Sequence, residues 1–338
     1  MKNSSIKKIL IIQTASIGDV VLATPVIEKL SRFYPDASID FLVKKGIESL
    51  LIGHPKLTHV LIWDKSVKKY QNLLELIKTI RSEKYDVVVN LQRFASSGFI
   101  TVLSGAPVKL GFNKNPFSIF FTKSVKHFIS SDPKKSVHET ARNLQVIAAI
   151  TDKSTEFPIR LYPAAEDFAK VSQFKTSRYI CLAPTSLWFT KQFPAQKWIG
   201  FLKEVDRDLY VYFLGSKNDL KICDEIIKKS GHQNSINLSG KLTFMQSAAL
   251  MRDAAMNFVN DSAPLHFASA MNAPVTAIFC STVPAFGFGP LSDNSVIIES
   301  DEILSCKPCG LHGFKSCPEK HFKCALTITN EKILERIK

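Results

Sequence analysis

Short runs of apolar, often β-branched residues alternate along this chain with longer amphipathic runs. The strand-like runs are 8–13, 38–43, 85–91, 179–183, 210–214, 254–259 and 275–280. The helix-like runs are 19–33, 70–81, 137–150, 195–205, 219–229 and 330–338. This alternation predicts parallel strands joined by crossover helices, and therefore an α/β protein.

A polar stretch at 151–163, which contains Pro158 and Pro163, interrupts the alternation before it restarts. We therefore predict two Rossmann-like domains that face each other across a cleft, with ligands at the carboxyl ends of their strands. The predicted bounds are 1–158 for the first domain, 159–328 for the second and 329–338 for a final helix near the domain junction. A single doubly wound domain is the alternative, although 338 residues is long for one.

The composition, with 45% hydrophobic and 22% charged residues, is typical of a water-soluble globular protein. No apolar run approaches the roughly 18 residues that a membrane span needs. The apolar run at 9–12 is also too short for the hydrophobic part of a signal peptide. The sequence thus predicts a cytoplasmic protein.

The chain carries an excess of positive charge, with 44 Lys and Arg residues against 30 Asp and Glu and a net charge of +14. An anionic partner is therefore expected. The basic residues are spread along the chain, and no basic arm or nucleic-acid-binding module is recognisable. We predict a phosphorylated substrate or an anionic membrane surface as the partner, and no nucleic acid.

The stretch 260–266 closes one strand-like run and opens a helix-like one. Asp261 or Ser262 can cap that helix, and Pro264 suits its first turn, where no amide proton is needed. The remaining amides and the positive end of the helix dipole form a site that would suit a diphosphate. An ordinary capped helix is the alternative interpretation.

A second loop, 13–19, leads from the first strand into the first helix and contains Ser16, Gly18 and Asp19. Gly18 permits close approach of the backbone to a ligand. The helix start favours an ionised Asp19, which could accept a proton from an attacking hydroxyl. The alternative is that Asp19 only caps the helix.

A third loop, 183–194, again lies between a strand and a helix. Ser186 and Thr190 offer hydroxyl groups, and Lys191 is a compact cation that can neutralise phosphate charge. A surface loop with a solvated lysine is the alternative. Gly215, at the end of the next strand-like run, could contact a ribose or a base.

His138 and Arg142 are four residues apart on a helix-like run, so they would share one helix face. Two cations on one face could meet a phosphate or an acidic sugar, which makes both residues secondary candidates for acceptor binding. The alternative is a solvated surface.

Four of the seven cysteines fall within a short segment, as Cys306, Cys309, Cys317 and Cys324. Four thiolates from a loop-rich segment would suit zinc or iron, with a structural role because four protein ligands leave no open position. The spacing does not match the usual paired CxxC pattern. Cys181, Cys223 and Cys280 lie in apolar runs and are expected in the core.

Three loops in order resemble those of the ADP-heptose:lipopolysaccharide heptosyltransferase family. They are Ser16-Ile17-Gly18-Asp19, Trp188-x-Thr190-Lys191-x-x-Pro194 and Asn260-Asp261-Ser262-Ala263-Pro264-x-His266. The resemblance implies the two-domain GT-B architecture and an inverting glycosyltransferase that needs no catalytic metal. The first domain would bind the acceptor and the second the nucleotide sugar.

The resemblance also implies the roles of individual residues. Asp19 would be the general base, with Ser16 and Gly18 near the acceptor. Thr190, Lys191 and the backbone around Asp261, Ser262 and Ala263 would bind the donor diphosphate. The residues themselves add Ser186, Gly215 and His266 as further donor-binding candidates. The cysteine segment is similar to an insert of some relatives that hold iron through four cysteines. Many family members have glycine where this chain has Thr185 or Ala263, so different donor contacts are expected there.

The predicted function is transfer of heptose from ADP-heptose to a lipid A-linked, phosphorylated core acceptor of lipopolysaccharide at the cytoplasmic membrane face. No cofactor is expected for catalysis. The alternatives are a GT-B enzyme with another donor or a protein acceptor, a nucleotide-sugar epimerase, and a non-enzymatic nucleotide- or nucleic-acid-binding protein. An epimerase would form product from the donor alone.

Overall fold

The computed structural model describes residues 6–337, which divide into two compact units. The first contains residues up to Ile129 together with Glu139–Tyr162, and the second contains Ser130–His138 and Pro163 onward. The predicted first domain, 1–158, begins before the described residues. The predicted final helix, 329–338, ends beyond them. No helix among residues 6–337 is long and apolar enough to cross a membrane.

The first unit is built on a parallel sheet flanked by helices. Its strands are β1 (Lys8–Ile12), β2 (Ser38–Lys44), β3 (His59–Trp63), β4 (Val87–Asn90), β5 (Val108–Phe112) and β6 (Lys123–Val125). Its helices are α1 (Ile17–Leu22), α2 (Thr24–Phe33), α3 (Lys69–Ser82), α4 (Ala95–Leu103) and α5 (Glu139–Val146). Within residues 6–337 the strand order is β3-β2-β1-β4-β5-β6, the order of a Rossmann fold.

The second unit repeats this plan. Its strands are β7 (Tyr179–Ala183), β8 (Tyr210–Phe213), β9 (Ser235–Asn237), β10 (Met256–Asn260), β11 (Val275–Ile278) and β12 (Ser295–Ile298). Its helices are α6 (Ala165–Val171), α7 (Ala195–Glu204), α8 (Leu220–Ser230), α9 (Phe244–Arg252), α10 (Ala263–Ala270), α11 (Lys323–Leu326) and α12 (Asn330–Leu334). Across the described chain the strand order is β12-β11-β10-β7-β8-β9, which is again Rossmann-like.

The burial of the central strands explains why the sequence pattern indicates a parallel sheet. Every residue of β4, β7 and β10 is buried, because helices cover both faces of a parallel sheet. In the second unit the core also contains a chain of aromatic edge contacts from Phe193 to Trp198 and on to Phe201. Helix α12 packs against α7 and adds Ile333 to that core.

One predicted helix is divided in the structure. The run 19–33 forms α1 and α2, which meet at Ala23. Pro25 lies in the first turn of α2, where its missing amide proton is tolerated. Helix α1 therefore ends before the proline, which the apolar periodicity alone did not indicate.

Candidate active site

The strand order places the candidate loops of each unit at a topological switch point. In the first unit β1 pairs with β4, and the loop with Asp19 follows β1. In the second unit β7 pairs with β10, and these strands lead into the loops with Lys191 and Asp261. Ligands of open α/β sheets bind outside the carboxyl ends of the strands at such points.

Asn260, the last residue of β10, joins the two loops of the second unit. Its side-chain oxygen accepts a hydrogen bond from the Phe193 amide at 2.8 Å. Its side-chain nitrogen donates to the Ala183 carbonyl at 3.3 Å. Asn260 is fully buried, so these bonds fix the loop after β7 against the end of β10.

Lys191 and Asp261 form an ion pair across this switch point. The distance from Lys191 Nζ to Asp261 Oδ2 is 2.7 Å, and both side chains are largely buried. Thr282, which follows β11, donates a second hydrogen bond to Asp261 Oδ2 at 2.7 Å. A lysine held at the end of parallel strands can contact an incoming phosphate.

The N-terminus of α10 lies directly after Asp261. Ser262 is the N-cap residue, but no side chain in the described part of the chain caps the helix. The Ser262 hydroxyl instead donates to the Asn260 carbonyl at 3.4 Å, and Pro264 occupies the first turn as expected. Pro264 has no amide proton, and the Leu265 amide donates to the Ser262 carbonyl at 3.0 Å. The Ala263 amide at the start of the helix is thus available for an anion, and the alternative of an ordinary side-chain-capped helix is not what the structure shows.

His266 is buried in the first turns of α10. Burial lowers the pKa of His266 to about 3, although the nearby charge of Asp261 opposes this shift. The imidazole is therefore neutral at pH 7, and its Nδ1 has no hydrogen-bond partner among residues 6–337. A neutral, polar nitrogen in this position could bond to a ligand hydroxyl.

Thr190, Ser186 and Gly215 surround the same strand ends. Thr190 is buried, and its hydroxyl bonds to Phe314 and Ser281. The Ser186 carbonyl accepts a hydrogen bond from the side chain of Gln192 at 2.6 Å. Gly215 is exposed after β8, where a Cβ atom would lie 2.9 Å from Asp219 Cβ. The turn after β8 is therefore too tight for a larger residue.

Asp19 is the third residue of α1 and forms a capping box with Ser16. Its Oδ2 accepts hydrogen bonds from the Ser16 amide at 3.0 Å and the Ser16 hydroxyl at 2.6 Å. Oδ1 makes no hydrogen bond within residues 6–337. Asp19 is half-exposed beside the buried Gly18, so the capping role is real and still leaves one carboxylate oxygen for a substrate.

Lys65 lies next to this loop, and sequence reasoning missed it because β3 was not predicted. Its Nζ donates to the Thr14 carbonyl at 3.1 Å and to the Thr14 hydroxyl at 2.8 Å. The same nitrogen lies 4.3 Å from the centre of a Trp63 ring. Burial, assisted by the charges of Lys44 and Lys69, lowers the pKa of Lys65 to about 8.

His138 and Arg142 do not share a helix face. Helix α5 begins at Glu139, so His138 precedes it and belongs to the second unit, whereas Arg142 belongs to the first. His138 Nε2 lies 3.1 Å from the Gly289 carbonyl. Arg142 is buried and pairs with Glu139, its NH2 group lying 2.6 Å from Glu139 Oε2. The helix-face argument for these two residues is therefore wrong.

Glu139 joins Arg142 and His127 in a buried cluster. Burial by itself raises the pKa of Glu139, but His127 and Arg142 lower it, and the resulting pKa lies below its usual value. His127 Nε2 is 3.4 Å from Glu139 Oε2. A buried carboxylate with these partners is ionised and stabilises the fold only while it stays paired.

Replacing Arg142 with Met is expected to lower the free energy of unfolding of the first unit by about 3–5 kcal/mol, because the change leaves the Glu139 charge buried without its closest partner. Urea denaturation followed by circular dichroism measures this effect. Arg252→Met is the matched control, since it breaks an ion pair with Asp253 that is exposed to solvent. Equal stability losses in the two variants would contradict a buried structural role.

The four clustered cysteines line one cavity together with His321, Thr190 and Phe314. However, among residues 6–337 no group of three or more His, Cys, Asp or Glu side chains is arranged to hold a metal ion. Cys324 packs into the hydrophobic core, where burial raises the pKa of its thiol to about 11 and so favours the protonated form. The predicted zinc or iron site is therefore not supported. Cys181, Cys223 and Cys280 are buried, as expected.

Comparison with known proteins gives a consistent result. The profile of glycosyltransferase family 9 (heptosyltransferase) matches residues 73–320. Lipopolysaccharide heptosyltransferase 3 of Escherichia coli is 30% identical over 296 residues, which cover 82% of this chain and 85% of the relative. A family 9 glycosyltransferase structure from Veillonella parvula has a TM-score of 0.82 and 20% identity, covering 98% and 95% of the two chains.

A further structure is that of E. coli heptosyltransferase WaaC with ADP-2-deoxy-2-fluoro heptose. It has a TM-score of 0.71 and 17% identity and covers 98% of each chain. These structural likenesses confirm the predicted fold, that of a GT-B glycosyltransferase. Because the family profile spans most of the sequence and the E. coli relative reaches 30% identity, the chain belongs to glycosyltransferase family 9, the heptosyltransferases. It is a transferase enzyme.

Proposed function

We propose that this enzyme transfers heptose from ADP-heptose to a phosphorylated inner-core acceptor of lipopolysaccharide, with inversion at the anomeric carbon. The observation that carries the donor assignment is the Lys191–Asp261 pair beside the uncapped start of α10. Two kinds of positive charge, an ammonium group and helix amides, meet there at a switch point. The name of the E. coli relative and the ligand of the WaaC structure support the sugar and the nucleotide.

In this proposal the second unit binds the donor. Lys191 and the amides at Asp261, Ser262 and Ala263 contact the diphosphate, and the neutral His266 bonds to a hydroxyl or a phosphate oxygen. Breaking the bond from the anomeric carbon to the phosphate oxygen leaves its electron pair on ADP. The cationic side chain and the amides stabilise that charge, so the proposed reaction calls for no metal cofactor.

The first unit binds the acceptor, with Ser16 and Gly18 lining its approach to Asp19. The acceptor oxygen forms the new bond to the anomeric carbon as its proton passes to Asp19 Oδ1. One displacement with one base inverts the anomeric centre. The buried pairing of Arg142 and the position of His138 before α5 give no support to their predicted acceptor role, so neither residue is part of this proposal.

The net charge of +14 suits an acceptor that carries phosphate groups on a lipid. We propose that the enzyme works at the cytoplasmic face of the membrane, where such an acceptor is presented. Binding of the purified enzyme to vesicles with and without anionic lipid would test this part of the proposal separately from the chemistry.

A thermal-shift screen tests the donor assignment. ADP at 100 times its Kd should add about 2.7 kcal/mol to the stability of the enzyme. For a domain of roughly 200 residues this corresponds to a Tm increase of roughly 5–10 °C. UDP and GDP should give smaller shifts, and AMP serves as the control because it lacks the second phosphate. A larger shift with UDP than with ADP would contradict the proposal.

A further inference from the structure

The cysteine-rich segment, residues 306–324, is bonded to the proposed donor loop. The Thr190 amide donates to the Phe314 carbonyl at 3.1 Å. In return the Phe314 amide donates to the Thr190 hydroxyl oxygen at 2.7 Å. Two backbone groups of the segment thus pair with the residue that directly precedes Lys191.

Gly313 brings the backbone of the segment unusually close to this loop. A Cβ atom at position 313 would lie 2.7 Å from Thr190 Oγ1, 3.1 Å from Lys191 Cγ and 3.2 Å from Ser281 Oγ. Gly313 also has a φ of +75°, which residues other than glycine rarely adopt. The segment therefore packs directly on Thr190 and on the stem of the Lys191 side chain.

A second attachment reaches the other side of the ion pair. The Cys309 amide donates to the Ser281 carbonyl at 2.8 Å. Thr282, which follows Ser281 in the chain, donates a hydrogen bond from its hydroxyl to the Asp261 carboxylate. The Ser281 hydroxyl also donates to Thr190 Oγ1 at 3.1 Å. The segment is thus tied both to the loop that carries Lys191 and to the loop that bonds its partner Asp261.

We propose that the cysteine-rich segment is a working part of the nucleotide site, in which Gly313 and Phe314 act as positioning residues. They hold Thr190 and Lys191 in position beside Asp261. The conformation of the segment therefore sets the affinity of the enzyme for the diphosphate of the nucleotide. This inference rests on the proposed function, since it takes Lys191 as a diphosphate ligand. It gives the segment a role that requires no bound metal.

The test compares Gly313→Ala with Gly310→Ala. Gly310 lies in the same segment with a φ of +64°, but a Cβ there would meet only the Phe314 ring, at 3.9 Å. Both variants carry similar backbone strain, and only Gly313→Ala places a Cβ atom too close to Thr190 and Lys191 of the donor loop. We expect its Kd for ADP, measured by calorimetry, to rise roughly 10- to 100-fold, with the Gly310→Ala value close to that of the wild type.

The kinetic readout is the KM for ADP-heptose, which should rise in Gly313→Ala more than kcat falls. Equal Kd values for ADP in the two glycine variants would overturn the inference. Failure of the wild-type enzyme to bind ADP would instead overturn the proposed function. If Gly313→Ala does not fold, Thr190→Val tests the same attachment without adding atoms at position 313, because it removes the hydroxyl that accepts from the Phe314 amide. A Kd for ADP equal to that of the wild type would then overturn the inference.

Discussion

Replacing Asp19 with Asn is expected to lower kcat about 10²- to 10⁴-fold, the usual contribution of a general base, with little change in the Kd for ADP. Asparagine has the same shape, and its amide oxygen can still accept the bond from the Ser16 amide that the carboxylate accepts now. The helix cap is therefore largely kept, while the group that takes the proton is lost. Steady-state release of ADP in the presence of acceptor measures kcat, and calorimetry measures the Kd.

Asp167→Asn is the matched control for this experiment. Asp167 also lies in the first turn of a helix, α6, and accepts a hydrogen bond at 3.0 Å from the amide of Ala164, three residues earlier. Both changes remove a carboxylate that caps a helix, so both should alter Tm by a similar small amount. If the Asp19 variant retains activity as the Asp167 variant does, Asp19 is only a capping residue and the proposed mechanism fails.

The fold was largely predictable because its central strands are buried on both faces. Strands β1, β4 and β7 therefore appear as nearly continuous apolar runs in the sequence, and β10 is apolar apart from Asn257 and Asn260. The edge strands were missed for the opposite reason. Strand β9, for example, has three residues, Ser-Ile-Asn, and none of them is buried, so it has no apolar pattern.

The site was predictable only loop by loop. Each candidate loop lies between a strand and a helix, which is visible in the sequence. The pairing of Lys191 with Asp261 across 70 residues depends on β7 lying beside β10, and local periodicity does not encode strand order. The contacts of Thr282 depend on the same strand order, since it follows β11.

The cysteine segment shows where composition is not sufficient. Four thiols in a short stretch suggested a ligand cage, but the density of cysteines does not say which of them point into the core. Cys324 packs with core residues of the second unit, and Gly313 and Phe314 make the contacts with the donor loop. Neither Gly313 nor Phe314 stands out in the sequence, because their contacts are made by backbone atoms.

Replacing Lys191 with Met is expected to lower kcat about 10²- to 10³-fold and to raise the KM for the donor, since the variant loses a preorganised cation at the leaving group. The ion pair with Asp261 holds the ammonium group in place before the donor arrives. As the sugar–phosphate bond breaks, the leaving oxygen gains negative charge, so Lys191 binds the transition state more strongly than the ground state. Steady-state kinetics with varied donor separates the two effects.

Lys175→Met is the control for the general effect of losing a partly buried, paired lysine. Lys175 also pairs with an aspartate of the second unit, Asp253, at 2.6 Å, and it has no place in the proposed site.

An Asp261 carboxylate without its lysine partner could still destabilise the Lys191 variant, because only Thr282 would remain bonded to it among the described groups. The double change Lys191→Met with Asp261→Asn removes that charge. It should restore Tm without restoring kcat, and recovery of kcat together with Tm would show that Lys191 serves stability rather than catalysis.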